Sequence, residues 1–192
     1  GHVVAAASEE GRIVTNGMSY ADRDGENANA ALLVTVNPVD FPYEGTLGGM
    51  KWQREIEEKA YAVSGSYRAP AQLVGDFLQG TASAGAGEIQ PTYRPGVHWC
   101  DLHEVLPQRI TASIAEALPQ LDGKLKGFAD AQAVMTAPET RSSSPVRIIR
   151  DEKRQSALRG LYPTGEGAGY AGGIVSAAVD GIRIAEAVAV AE

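Results

Sequence analysis

Only one cysteine, Cys100, occurs in the 192 residues. That excludes an internal disulfide and any zinc site built from several thiolates, and it fits a reducing cytoplasm. Histidine is also scarce, at three. His98 and His103 flank Cys100 in an HxCxxH spacing, but no fourth ligand is apparent and Asp101, read as a helix cap, competes for the same turn, so no metal is expected. No run reaches the roughly eighteen uninterrupted apolar residues of a membrane helix, and GHVVAAASEEG at the start has neither a basic leader nor a long apolar stretch. Positive charge is the minority, 17 Lys and Arg against 24 Asp and Glu for a net −7. Such a field repels phosphate backbones and anionic lipid, so neither a nucleic-acid nor a membrane partner is expected.

What is present is ordinary for a globular protein, with 44% hydrophobic and 21% charged residues. The length suits one domain, or two small lobes sharing a core, and falls short of a complete two-domain cofactor enzyme. The first residue is glycine rather than methionine, which fits a piece taken from a longer polypeptide.

Val3 to Ala7 and Arg12 to Thr15 are β-prone runs separated by the polar SEEG, which predicts a hairpin. NGMSYADRDGENANA reads as an irregular loop, either functional or simply exposed. Ala31 to Val36 has the length and composition of a buried strand, ended by Asn37-Pro38. Trp52, Ile56, Ala60 and Val63 recur at helical spacing, supported by the Glu55 to Lys59 pair. Pro70 is read as a first helical position, with Leu73, Val74, Phe77 and Leu78 as one apolar face before Gly80. Residues 80–97 are a flexible linker. Asp101 and Glu104 stand at capping-box spacing, and Pro107 opens a helix whose face is Ile110, Ile114, Ala117, Leu118 and Leu121. Ala131 to Thr136 and Val146 to Ile149 are expected strands around PETRSSSP, and Leu158 to Tyr162 is a further short strand-like run. The last helix, after Gly173, is apolar nearly all round, with Asp180, Arg183 and Glu186 as a narrow polar stripe, and is expected to be buried on most sides.

GEGAGYAGG, residues 165–173, carries GxGxxG through Gly167, Gly169 and Gly172 between that run and that helix. Glycines let backbone N–H groups approach a phosphate or a flavin edge, and a helix start favours negative charge. Close helix–strand packing also demands small residues, so the pattern alone leaves both readings open. A nicotinamide fingerprint would need a following strand with an acidic residue about twenty positions on, which is not seen.

GLYPTGEGAGYAGGIVSAAVDGIRIAEA, residues 160–187, resembles the C-terminal signature of flavin-dependent oxidoreductases. More narrowly it is similar to a bacterial group of FAD-dependent, or NAD(FAD)-utilising, dehydrogenases. SEEGRIVTNGMSYADRDGENANAALLV, YRAPAQLVGDFL at 67–78 and TAPETRSSSPVRIIRD at 136–151 carry the same likeness, in the same order. The resemblance implies that the chain is the C-terminal portion of a flavoprotein whose adenine-binding fingerprint lies in a preceding FAD-binding portion of the same polypeptide. The expected fold is then mixed α/β: residues 1–36 and 131–192 belong to the FAD domain and close it with a β–α unit, and 37–130 form an inserted, mostly helical substrate-side lobe.

The resemblance also implies roles. Gly165 and Glu166 match the Gly-Asp of the wider class, whose carboxylate reaches the ribityl chain or lies near the pyrophosphate. Gly167, Ala168, Gly169, Tyr170, Ala171, Gly172 and Gly173 complete a cofactor half-site, in which the amides around Tyr170 to Gly173 approach the pyrimidine edge of the flavin. Thr140, Arg141, Ser142, Ser143 and Ser144 supply hydroxyls and a planar donor fork suited to a substrate carbonyl or a flavin edge, although ETRSSSP also reads as a solvated loop. Arg141, Arg147, Arg150, Lys153 and Arg154 are either an anion site or a solvated face. Asn16 and Arg23, with Ser19 and Asn29, belong to a polar loop that borders the substrate or is plain surface. No residue is assigned as catalytic acid or base. The expected parent is a cytoplasmic oxidoreductase that moves a hydride between FAD and an organic substrate or NAD(P). This chain alone is expected to be inactive and free of flavin. The alternative is a non-catalytic binding or scaffold module of the same shape; an independent NAD-binding domain ranks last.

Overall fold

The computed structural model describes residues 1–190; positions 191 and 192, the last two of the expected closing segment, lie outside the described residues. The mixed α/β class expected from the sequence is present, as small sheets and four helices among the described residues. The chain divides into two compact units. One joins Gly1–Val36 to Gln53–Thr140, and the other joins Asn37–Trp52 to the segment from Arg141 onward. One dividing point lies within helix α1, Gly48–Ser64.

In the first unit the expected hairpin forms, with its second strand displaced along the chain. Strand β1, His2–Ala5, pairs antiparallel with β2, Thr15–Met18, in the register Val4 to Asn16. Ile13 and Val14, expected in the second strand, precede it and are buried at 1% exposure each. The second sheet has the order β4, β3, β5. Its centre is β3, Ala69–Leu73, parallel to β4, Val97–Trp99, and antiparallel to β5, Val134–Thr136.

That central strand corrects the reading of Pro70 as a helix start. Proline's fixed φ serves a first helical position and an extended strand alike. Here its carbonyl accepts from the Ala137 amide, and the helix α2 begins later, at Val74–Gln79. Because β3 has neighbours on both edges and is covered on both faces, Ala69, Pro70, Ala71 and Gln72 are all buried, and the one polar side chain among them must be paired. Gln72 donates to the Thr81 carbonyl at 2.8 Å and accepts from the Leu102 amide at 2.8 Å.

Helix α3, Gln108–Lys124, forms where predicted, buries Thr111, Ile114 and Leu118, and takes Pro107 as its N-cap rather than its first turn. Asp101 caps the short turn Leu102–Glu104, accepting from the His103 amide. Phe77, Leu102, Val105, Ile114 and Leu118 form the heart of the core with Ala60 of α1. Burial of each large side chain there contributes about 2–3 kcal/mol.

Two expected strands in these regions do not form. Ala31 to Val36 is irregular, with Leu32 and Val34 half-buried against the core and Leu33 exposed. The alternation is that of a strand, but no neighbouring edge supplies the ladder hydrogen bonds that would make it one. In the second unit Val146 to Ile149 is likewise unpaired, with Ile149 74% exposed.

The second unit is mostly irregular chain leading to helix α4, Ile174–Ala189. The expected burial of this helix is overturned. Asp180 and Ile184 are buried, with Ala177, Gly181 and Ala187 half-buried on the same face. The opposite face carries Val175 at 76%, Ile182 at 61% and Val179 at 40% exposure. The acidic residue points inward and the valines outward, because Asp180 has a partner inside the unit and the valines have none among the described residues.

Candidate functional site: the glycine run and the head of the last helix

No strand leads into the glycine run, so the closing β–α unit expected from the sequence is corrected to turn followed by helix. Leu158 to Tyr162 is irregular. The run folds on itself: the Tyr170 amide donates to the Gly165 carbonyl at 3.0 Å and the Gly169 amide to the Glu166 carbonyl at 2.9 Å. The irregular chain at 146–150 lies along it. Ile148 donates its amide to the Ala168 carbonyl at 3.2 Å, and Arg147 Nε donates to the Gly169 carbonyl at 2.8 Å.

Gly169 explains why this turn is glycine-rich. Its φ is +81°, and a Cβ there would stand 2.5 Å from the Val146 carbonyl oxygen. Gly165 has a similar φ of +72°, but a Cβ there would meet only the Ala177 methyl, at 4.0 Å. Gly165→Ala should therefore cost roughly 1 kcal/mol for the left-handed backbone alone. Gly169→Ala, which adds a clash with backbone, should cost roughly 3 kcal/mol. Urea denaturation of the chain checks this; equal costs would contradict the close approach of residue 146.

After the turn the chain runs extended through Gly173, and α4 begins with no side-chain cap. The amides of Gly172, Gly173, Ile174 and Val175 have no hydrogen-bond partner among the described residues. The Tyr170 amide, expected among the free donors, is consumed inside the turn. What remains is a cluster of unsatisfied donors at a helix start with small residues in front of it, an arrangement that favours negative charge.

The serine segment comes to the same place. The Ser143 amide donates to Glu166 Oε1 at 2.8 Å, with Ser143 at φ +66°, and its Oγ lies 3.1 Å from where a Cβ on Gly172 would be. Ser144 turns its hydroxyl to the Val146 carbonyl. Ser142 and Arg141 are exposed. Thr140 belongs to the first unit, where its hydroxyl donates to the fully buried Glu57 at 2.6 Å and its carbonyl accepts from Gln53. Asn16 and Arg23 are exposed in that unit, Asn16 within β2 and Arg23 in the loop after it. His103 is held by Asp101, whose Oδ1 is 2.7 Å from Nδ1. Burial works to raise the Asp101 carboxyl, but the hydrogen bonds from His103 outweigh it and the net displacement is downward. Among the described residues no group of three or more His, Cys, Asp or Glu is placed to hold a metal ion. No helix among them is long and apolar enough to cross a membrane.

Asp180 and Glu139 were not singled out as site residues by pattern, and Arg150 was read only as part of a cluster that is either an anion site or a solvated face. Asp180 accepts from both terminal nitrogens of Arg150, at 2.7 and 3.0 Å, and from the Gly165 amide at 3.0 Å. The Arg150 guanidinium beside it, and then the Gly165 amide, hold its carboxyl well below the usual range. The available signal was an acid midway along an apolar helix, since a buried charge requires a partner. Glu139 is half-buried, burial pushes its carboxyl up, and that carboxyl has no partner among the described residues.

A protein of Clostridium beijerinckii described only as uncharacterized is 52% identical over 188 residues, covering 97% of this chain and 35% of its own length. The chain thus spans about a third of that relative. A family model described as "FAD-dependent protein, C-terminal domain-like" matches residues 1–142, which contain the first unit's sheet, its core and the start of the serine segment, while the glycine run follows. By that match the chain belongs to the family of FAD-dependent protein C-terminal domains.

Proposed function

We propose that the chain works as the C-terminal part of a longer FAD-dependent oxidoreductase, a dehydrogenase that exchanges a hydride between FAD and an organic substrate or NAD(P). The observation that carries the reading is the set of unpartnered amides from Gly172 to Val175 at the uncapped start of α4. They fit a flavin edge: a Cβ on Gly167 would meet nothing within 4 Å, the Ser143 hydroxyl borders Gly172 as a polar neighbour, and the small residues 171–173 let a planar group reach the main chain. The flavin, when bound, supplies the two-electron chemistry. The chain's part is electrostatic. Fixed amide dipoles favour the negative charge that reduction brings, and so raise the reduction potential. Ser143 and Glu166, tied to each other beside Gly172, border the same opening and offer a hydroxyl and a carboxylate to ribityl or substrate groups.

The partner is the remaining two thirds of a polypeptide as long as the relative. Support comes from the outward face of α4, where Val175, Val179 and Ile182 lie exposed, and from Ile149 and Leu158, 74% and 68% exposed. Apolar surface of this kind on a soluble domain marks a contact face. The test is to purify the longer polypeptide and this chain side by side and record their absorption spectra. The longer protein should be yellow with about one FAD per chain, and this chain colourless. A colourless longer protein would refute the reading. Tight FAD binding by this chain alone would refute the half-site.

A further inference from the structure

Arg150 sits where three parts of the second unit meet. Its guanidinium donates through Nη1 to the Pro163 carbonyl at 2.8 Å and to Asp180 Oδ2 at 3.0 Å, and through Nη2 to Asp180 Oδ1 at 2.7 Å. Its Cζ lies 3.6 Å from the centre of the Tyr170 ring. The two charged side chains are 8% and 9% exposed. Asp180 spends its remaining acceptor capacity on the Thr164 hydroxyl at 3.2 Å and the Gly165 amide at 3.0 Å. The Tyr170 hydroxyl donates to the Ile148 carbonyl at 3.1 Å, and Arg147 approaches the same ring at 5.0 Å.

One side chain therefore holds the entrance of the glycine run at Pro163. Through Asp180 it holds the first glycine and the second turn of α4, and through Tyr170 the middle of the run. Only a planar fork with several donors and a stackable face makes all of these contacts; a lysine ammonium cannot. Stability alone does not require such a device, since a buried ion pair is often no better than an apolar pair of the same volume. What the pair does specify is direction.

We propose that Arg150 is the positioning residue of the cofactor half-site: it locks residues 163–170 to α4 and so sets the aim of the free amides at Gly172 to Val175. The inference rests on the flavin reading above and names the residue that aligns that site. Arg150 touches no cofactor itself; it acts through Asp180 and Tyr170.

The experiment uses the longer polypeptide with its bound FAD and measures FAD dissociation and the two-electron midpoint potential. Arg150→Lys keeps the charge but loses the fork and the stack on Tyr170, and Arg150→Met with Asp180→Leu removes both charges while leaving the Gly165 amide and Thr164 hydroxyl without that acceptor. Both are expected to lower the urea midpoint, the apolar pair less because it strands no charge, yet both should release FAD at least tenfold more readily. The preference for reduced over oxidised flavin should fall about tenfold as well, which for a two-electron couple lowers the potential by about 30 mV. A purely structural brace predicts otherwise: affinity and potential would follow stability, and the apolar pair would recover them in step with it. Wild-type affinity and potential in both variants would overturn the inference while leaving the flavin reading intact. Absence of FAD from the wild-type polypeptide would instead overturn the flavin reading, and the inference with it.

Discussion

Replacing Asp180 by alanine is expected to destabilise the second unit by about 3 kcal/mol, the low end for breaking a buried ion pair because much of α4 faces solvent. The cause lies in what is left behind. Arg150, 8% exposed, would keep its charge without a counter-ion, and the Gly165 amide and Thr164 hydroxyl would lose their acceptor. Alanine at Arg183 or Glu186, both exposed on the same helix, should change stability by less than about 0.5 kcal/mol. Amide exchange of α4 in this chain measures the difference, and equal protection in all three variants would contradict the assignment. The pH dependence has a definite sign. The Asp180 carboxyl is depressed by Arg150 first and the Gly165 amide second, so its contribution is in place above about pH 4, the range of a free carboxyl, and is lost as the pH falls below it. Asp180→Asn should remove that acid limb.

The outward face of α4 should give the second large effect, in the opposite context. Val175→Asp or Ile182→Asp places a carboxylate where the side chain is now 76% or 61% exposed, so this chain alone should be nearly unaffected. In the longer polypeptide the same charge would be buried against the remaining two thirds without a partner. Removing or misplacing a charge in such a setting costs about 3 kcal/mol, or roughly a hundredfold in FAD retention. FAD content after gel filtration reads this out. Wild-type content in both variants would show that the face is not where the rest of the polypeptide sits.

The sequence carried the helices well and the strands less well, for physical reasons. The periodic faces of α1 and α3 are local, so Ala60, Ile114 and Leu118 were legible as core. Strand formation depends on a partner elsewhere in the chain. Ala31 to Val36 and Val146 to Ile149 have strand composition but no partner strand, whereas Ala69–Leu73, with its proline and glutamine, became the central strand because β4 and β5 flank it. The glycine run was placed correctly at a helix start, and its need for glycine at 169 follows from residue 146, which no short motif reveals. The inversion of α4 has a similar origin. An apolar helix does not announce which face this chain covers, and Asp180 turns inward because Arg150, thirty residues earlier in sequence, meets it there.

Amide exchange at Gly172 to Val175 in the longer polypeptide, followed with FAD bound and after its removal, bears on the main claim most directly. Slow exchange with FAD and fast exchange without it, confined to these amides and the serine segment, is the predicted result. Fast exchange at the head of α4 while FAD stays firmly bound would mean that the flavin lies elsewhere.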